Sequence, residues 1–173
     1  GVFNDSLPDG WGRLLLDRQV RSHGITPELL TPLDRLTHVG THGMGALVYE
    51  PDASEHANSK STINLDHLAE ETAQVLEGEA EDVIAELLEL SGSSAGARPK
   101  IMVGVSPVNS RIIHGRHKLP KGYGHWMIKF ASSGDSRDIG PIEYAYSLMA
   151  REAGVEIGRT HLFPAKKGYG YFG

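Results

Sequence analysis

Residues 91–106 read "SGSSAGARPKIMVGVS", and the character of the chain changes within them. Ser91 to Lys100 hold two glycines, three serines, a proline and two cations, and the run "KIMVGVS" (100–106) follows directly. Gly, Ser and Pro in a cluster mark a loop, whereas a short apolar run with β-branched residues reads as a strand. Upstream, "NLDHLAEETAQVLEGEAEDVIAELLELSG" (64–92) has helical spacing. Leu65, Leu68, Ala69, Thr72 and Leu76 form one stripe and Val83, Ile84, Leu87 and Leu88 another, with Gly78 dividing or bending the two. Downstream, "KIMVGVS", "SRIIHGR" (110–116) and "GHWMIKFAS" (124–132) read as three strands of an antiparallel meander, turning at "PVN" and "KLPKGYG". "DIGPIEYAYSLMAREAGV" (138–155) then reads as a helix with Pro141 in its first turn and Gly154 near its end. "RTHLFPA" (159–165) and "GYGYFG" (168–173) close as a hairpin.

The N-terminal part is mostly helical. "LPDGWGRLLLDRQVRSHG" (7–24) opens with turn residues and continues as a helix turning Trp11, Leu14, Leu15 and Val20 inward. "TPELL" (26–30) and "TPLDRLTHVG" (31–40) each place Thr as N-cap before a proline, and Gly40 suits the end of the second. "MGALVYEP" (44–51) is short, apolar and closed by Pro51, which predicts a strand, and residues 52–62 a surface loop. The expected class is α+β. A partial, mostly helical subdomain over 1–90 precedes a unit over 91–173 with an antiparallel sheet and one main helix.

With 173 residues, 39% hydrophobic and 23% charged, the chain suits one soluble domain or two small ones sharing an interface. No apolar run approaches the roughly 18 residues of a membrane span, and the N-terminus lacks signal-peptide character. The absence of cysteine excludes disulfides and thiolate metal sites and agrees with a cytoplasmic setting. The net charge of -5 conceals a segregation. From Asn64 to Leu90 there are nine acidic residues and no Lys or Arg. From Ser91 to Gly134 there is no acidic residue, against Arg98, Lys100, Arg111, Arg116, Lys118, Lys121 and Lys129. Such a block offers a positive field to an anion, or else the two blocks attract each other as solvated faces. The acidic balance and scarcity of aromatics argue against a nucleic-acid surface.

Several motifs fail on inspection. "GSSAGARPK" is no Walker A loop, because Lys100 lies four positions beyond Gly96. "GYGYFG" matches G-x-G-x-x-G literally, but no helix or acidic residue follows. His114 and His117 have no carboxylate in their block to complete a metal shell, so no metal site is expected. No G-x-S-x-G elbow is present. One constellation remains: a glycine-rich loop, a strand lysine (Lys129) flanked by apolar residues, and a helix glutamate (Glu143). This is the order of parts in a kinase N-lobe. Loop N–H groups cover the phosphates, the lysine meets the α/β-phosphates and the glutamate fixes the lysine. A lysine in an apolar strand is costly unless paired. The competing reading puts Lys129 on the solvent side of an edge strand.

"DSLPDGWGRLLLDR", "LDRLTHVGTHGMGALVYEP", "SGSSAGARPK" and "MIKF…IEYAYSLMAREAG", in this order, resemble the HipA family of bacterial serine/threonine-protein kinase toxins. The resemblance implies that 91–173 is a kinase N-lobe and that 1–90 is part of the subdomain preceding it. It also implies an ATP site built from Ala95, Gly96, Ala97, Arg98, Pro99, Lys100 and Lys129, with Glu143 orienting Lys129. Ser93, or less favourably its neighbour Ser94, matches an autophosphorylation site that expels the loop; phosphate there would repel the nucleotide's own. Further implications are Mg²⁺, a HipB-type DNA-binding antitoxin as partner and a protein substrate, for which the family precedent is an aminoacyl-tRNA synthetase. No direct nucleic-acid contact and no membrane are expected. The chain has no HRD, no D-x-x-x-x-N and no DFG. The catalytic Asp and metal ligands are therefore expected in a C-lobe absent from this sequence, and the chain alone is expected to be inactive. Two other readings stand beside this one: a non-catalytic module that docks an antitoxin-like DNA-binding partner, and a generic phosphate- or nucleotide-binding domain.

Overall fold

A computed structural model describes residues 3–41, 43–44, 46–54, 62–79, 82–92, 95–108, 111–115 and 118–173. Helix α1 (Gly10–Ser22) is followed by a 3₁₀ turn at Pro27–Leu29 and by α2 (Pro32–Val39). Then come α3 (Leu65–Glu77), α4 (Ile84–Ser91), β1 (Lys100–Val105), β2 (Ile112–His114), β3 (Gly124–Lys129), α5 (Ile139–Glu152), β4 (Leu162–Phe163) and β5 (Tyr171–Phe172). The chain is α+β, a helical part joined to a five-stranded antiparallel sheet.

Local chemistry explains most of the helix ends. Thr31 and Asp34 form a reciprocal capping box at α2, with Pro32 in its first turn and Gly40 following. At Pro27–Leu29 the Thr-Pro pair starts only a 3₁₀ turn, because Thr26 makes no side-chain cap bond. Asn64 accepts from the Asp66 and His67 amides at the start of α3. Gly78, in the left-handed region, ends α3 and separates it from α4.

One core joins the helical part to the sheet. Ile101, Val103 and Val105 of β1 and Ile128 of β3 meet Trp11 and Leu15 of α1, Val75 of α3 and Leu87 and Leu90 of α4. Complete burial of each such aliphatic side chain contributes about 1.5–3 kcal/mol. The two segments read from the sequence as 1–90 and 91–173 therefore bury their apolar faces against each other.

Two expectations need correction. The sheet order is β2-β1-β3-β5-β4, so β1 lies between β2 and β3 and the three are not a simple meander. β1 is buried along nearly its whole length and β2 only partly, so the more apolar strand takes the centre. The described residues of "MGALVYEP" form no strand. Among the described residues no strand pairs with them, and Leu47 and Val48 are exposed. The segment is held instead by Tyr49 N–H donating to the Gly40 carbonyl, and by Asp52 accepting from the Thr41 amide and hydroxyl. No helix among the described residues is long and apolar enough to cross a membrane.

Candidate functional site

The glycine-rich loop rests on the first turn of α1. A helix start leaves backbone N–H groups without helical partners. Here Trp11 N–H donates to the Gly96 carbonyl at 3.1 Å. The Trp11 indole donates to the fully buried Ser91 hydroxyl at 2.9 Å, which in turn donates to the Lys100 carbonyl at 2.8 Å. Both ends of the loop are thus tied to one tryptophan. Gly10 (φ +47°) allows the close approach: a Cβ there would lie 2.5 Å from Gly96 O and 2.8 Å from Ala97 N. Gly96 is constrained by its left-handed backbone (φ +104°), while an added Cβ would meet only the movable end of Lys100, 2.7 Å from Nζ.

In the β1–β3 ladder Lys100 stands directly opposite Lys129. Side chains alternate along a strand, so both lysines leave the face opposite to buried Ile101 and Ile128. Like charges directly opposed in a ladder are unfavourable. Lys100 is only 6% exposed, and its ammonium donates to the Ala95 carbonyl. Burial first, and then the Lys129 charge, push its pKa below the ordinary lysine value, while Asp9 and Glu143 pull the other way. Lys129 Nζ lies 2.7 Å from Glu143 Oε2 and 5.4 Å from the centre of the Phe172 ring. The strand lysine and helix glutamate, 14 residues apart, form one ion pair.

Glu143 serves a second cation. Its Oε1 accepts from Arg98 Nη1 at 2.8 Å, and Arg98 forks onto Asp135 through Nε at 2.9 Å and Nη2 at 2.8 Å. Asp135 Oδ2 also accepts the Ser132 amide and hydroxyl, at 2.9 and 2.8 Å. The structure thus gathers Arg98, Lys100, Lys129 and Glu143 at one place. Ala95 and Gly96 enter through their carbonyls, and the Pro99 carbonyl accepts from Phe130 N at 2.9 Å. Ser93 and Ser94 lie outside the described residues. Among the described residues, Arg98 and Lys129 of the acid-free block pair with carboxylates at 135 and 143, not with the acidic helices α3 and α4. No group of three or more His, Asp or Glu among the described residues is arranged to hold a metal ion.

Sequence reasoning missed Asp135 and the α1 seat. A signal for Asp135 existed, since it is the first carboxylate after the acid-free block. For Gly10 and Trp11 the signal was weaker: turn residues before a helix suggest a cap rather than a loop platform.

A family model of the HipA N-terminal domain matches residues 1–50, and one of the HipA-like C-terminal domain matches residues 92–172. The chain belongs to the HipA-like family. No curated protein and no solved structure matches it.

In this HipA-like chain the Arg98–Asp135 pair carries a pH signature. The Arg98 hydrogen bonds hold the Asp135 carboxyl below the usual carboxylate range, against partial burial and with help from Ser132. A depressed carboxylate contributes fully above its unfolded value, about pH 4, and the contribution is lost as pH falls through the lower folded value. Hydrogen-exchange protection of the Trp11 and Phe130 amides, which donate to the Gly96 and Pro99 carbonyls of the loop, corrected for intrinsic rates, is expected to stay level from pH 7 to about pH 4 and to fall below it. In Asp135→Asn the same amides are expected to show no such step. The guanidinium side chain is 41% exposed, so solvent screens the pair and the contribution is at the modest end.

Proposed function

We propose that this chain is the ATP-binding half of a HipA-like serine/threonine-protein kinase toxin of a toxin–antitoxin system, working in the cytoplasm. The observation that best supports this reading is the opposed pair Lys100 and Lys129 at the mouth of a glycine-rich loop, one of them nearly buried. Two ammonium groups facing across a ladder, with one hydrogen-bonded glutamate on one of them, suit a bound polyanion. A groove of about 940 Å³ opens beside Lys129 and Phe130, between α3, the start of α5 and the β4–β5 hairpin. Its lining includes Asp66, Glu70 and Glu77 but neither residues 95–100 nor Glu143, so the groove adjoins the lysine pair and is not itself the phosphate site.

In this reading the backbone of Ala95, Gly96, Ala97 and Pro99, placed by Arg98 and together with Lys100, covers the phosphates. Lys129 meets them and Glu143 orients Lys129. ATP, when bound, supplies the phosphoryl group that is transferred to Ser or Thr of a protein. Ser93 is the proposed autophosphorylation position. The cations present fit the nucleotide's phosphates, and in this reading Mg²⁺ and the general base are held by other residues of the active enzyme. The partner in this reading is a HipB-type DNA-binding antitoxin, and the substrate a protein such as an aminoacyl-tRNA synthetase.

Titration of ATP into wild type and Lys129→Ala tests the assignment. Removing Lys129 leaves Glu143 paired with Arg98, so the variant is expected to fold. Its ATP affinity is expected to be at least about tenfold weaker, about 1.4 kcal/mol. Equal affinities would remove Lys129 from the nucleotide site and favour the non-catalytic docking reading.

A further inference from the structure

We propose that Asp135 is a positioning residue that holds the glycine-rich loop closed through Arg98 and couples loop closure to the orientation of Lys129. This deepens the nucleotide-binding reading above and rests on it.

Arg98 is the side chain by which the loop reaches across to the β3–α5 connection. Its Nε, Nη1 and Nη2 each donate to a carboxylate oxygen, two on Asp135 and one on Glu143. A planar guanidinium holding a carboxylate through two parallel bonds fixes distance and angle together, which a lysine ammonium does not. The guanidinium therefore acts on the loop's position and not as a phosphate ligand in this geometry. Asp135 has anchors other than Arg98. Two donors from Ser132 fix it, and its side chain is only 11% exposed. A pre-organised acceptor loses little side-chain freedom on pairing.

The coupling lies in Glu143. One of its oxygens takes Arg98 and the other takes Lys129. The carboxylate that orients the strand lysine is thus also held by the loop. Releasing Asp135 leaves Arg98 with one carboxylate in place of two, loosens the loop and removes a restraint on the Lys129–Glu143 pair. The Gly96 carbonyl is also held by Trp11 N–H and the loop's two ends by Ser91, so the loop loosens on its seat without leaving α1.

The test uses Asp135→Asn, which keeps the size and removes the charge, together with Asp135→Glu and Arg98→Lys. Hydrogen exchange of the Trp11 and Phe130 amides, which donate to the Gly96 and Pro99 carbonyls of the loop, and affinity for a fluorescent ATP analogue are both measured. In Asp135→Asn, exchange of the Trp11 and Phe130 amides is expected to quicken about tenfold while the β1 core amides keep wild-type rates, and nucleotide affinity is expected to fall about tenfold. Asp135→Glu should recover part of both. Arg98→Lys should match Asp135→Asn, with the double variant no worse than either single one. Wild-type exchange and affinity in Asp135→Asn would overturn the proposal. So would faster exchange throughout the β1 core, since Asp135 would then be a general structural prop. If wild type binds no nucleotide while exchange of the Trp11 and Phe130 amides still responds to Asp135→Asn, the clamp stands and the nucleotide reading falls.

Discussion

Trp11→Ala is expected to lower the stability of the chain by about 4 kcal/mol, within the range for truncating a fully buried aromatic. Trp11 is 2% exposed and sits in the core shared by α1, α4 and the sheet. Its indole also donates to Ser91, whose hydroxyl holds the Lys100 carbonyl at the start of β1. The substitution therefore opens a cavity and unties the residue closing α4 from the strand that follows the loop. Domains of this size are stable by about 5–15 kcal/mol, so a loss of about 4 brings the variant near its folding limit. Trp11→Phe keeps most of the volume and loses the hydrogen bond, and about 1–2 kcal/mol is expected. Urea unfolding followed by far-ultraviolet circular dichroism separates the two. A loss below about 1 kcal/mol for Trp11→Ala would contradict the described core.

Gly10→Ala is expected to cost about 2–3 kcal/mol, a local strain plus a backbone clash. The φ of +47° alone costs an L-residue about 1–2 kcal/mol. The remainder comes from the Gly96 carbonyl, 2.5 Å from the new Cβ, because backbone on both sides must shift. The shift also strains the bond from Trp11 N–H to Gly96, so the loop is expected to lose protection before the core does. Gly24 is the matched control: its φ is +75° and nothing lies within 4 Å of an added Cβ. Gly24→Ala should therefore show only the conformational part, about 1 kcal/mol. Thermal or urea unfolding of both variants checks the difference. Equal losses at the two positions would mean that the loop does not rest on α1.

The elements that were legible from sequence share a local cause. Thr31, Pro32 and Asp34 define the start of α2 within four residues, and Gly78 divides α3 from α4 through its own left-handed backbone. Apolar spacing placed Leu65, Leu68 and Thr72 of α3 on the buried side. "MGALVYEP" misled because a short apolar run carries strand character without saying whether a partner strand exists. The meander misled because residue order along the chain does not state which strand is most completely covered.

Local pattern along the chain specifies α1 to α5, the five strands of the sheet, the α+β class and the succession of loop, Lys129 and Glu143, while it overstates "MGALVYEP" as a strand. Each depends on spacing within a turn or on alternation along a strand, forces that act between near neighbours. Only the tertiary structure decided that β1 occupies the middle of its three-stranded group, that Lys100 faces Lys129, and that the loop rests on Gly10 and Trp11. It also brought Arg98 to Asp135 and Glu143, 37 and 45 residues further along the chain. Contacts over such separations arise from how the sheet packs on α1, α3 and α4 and how α5 lies against β5, and no local period encodes them.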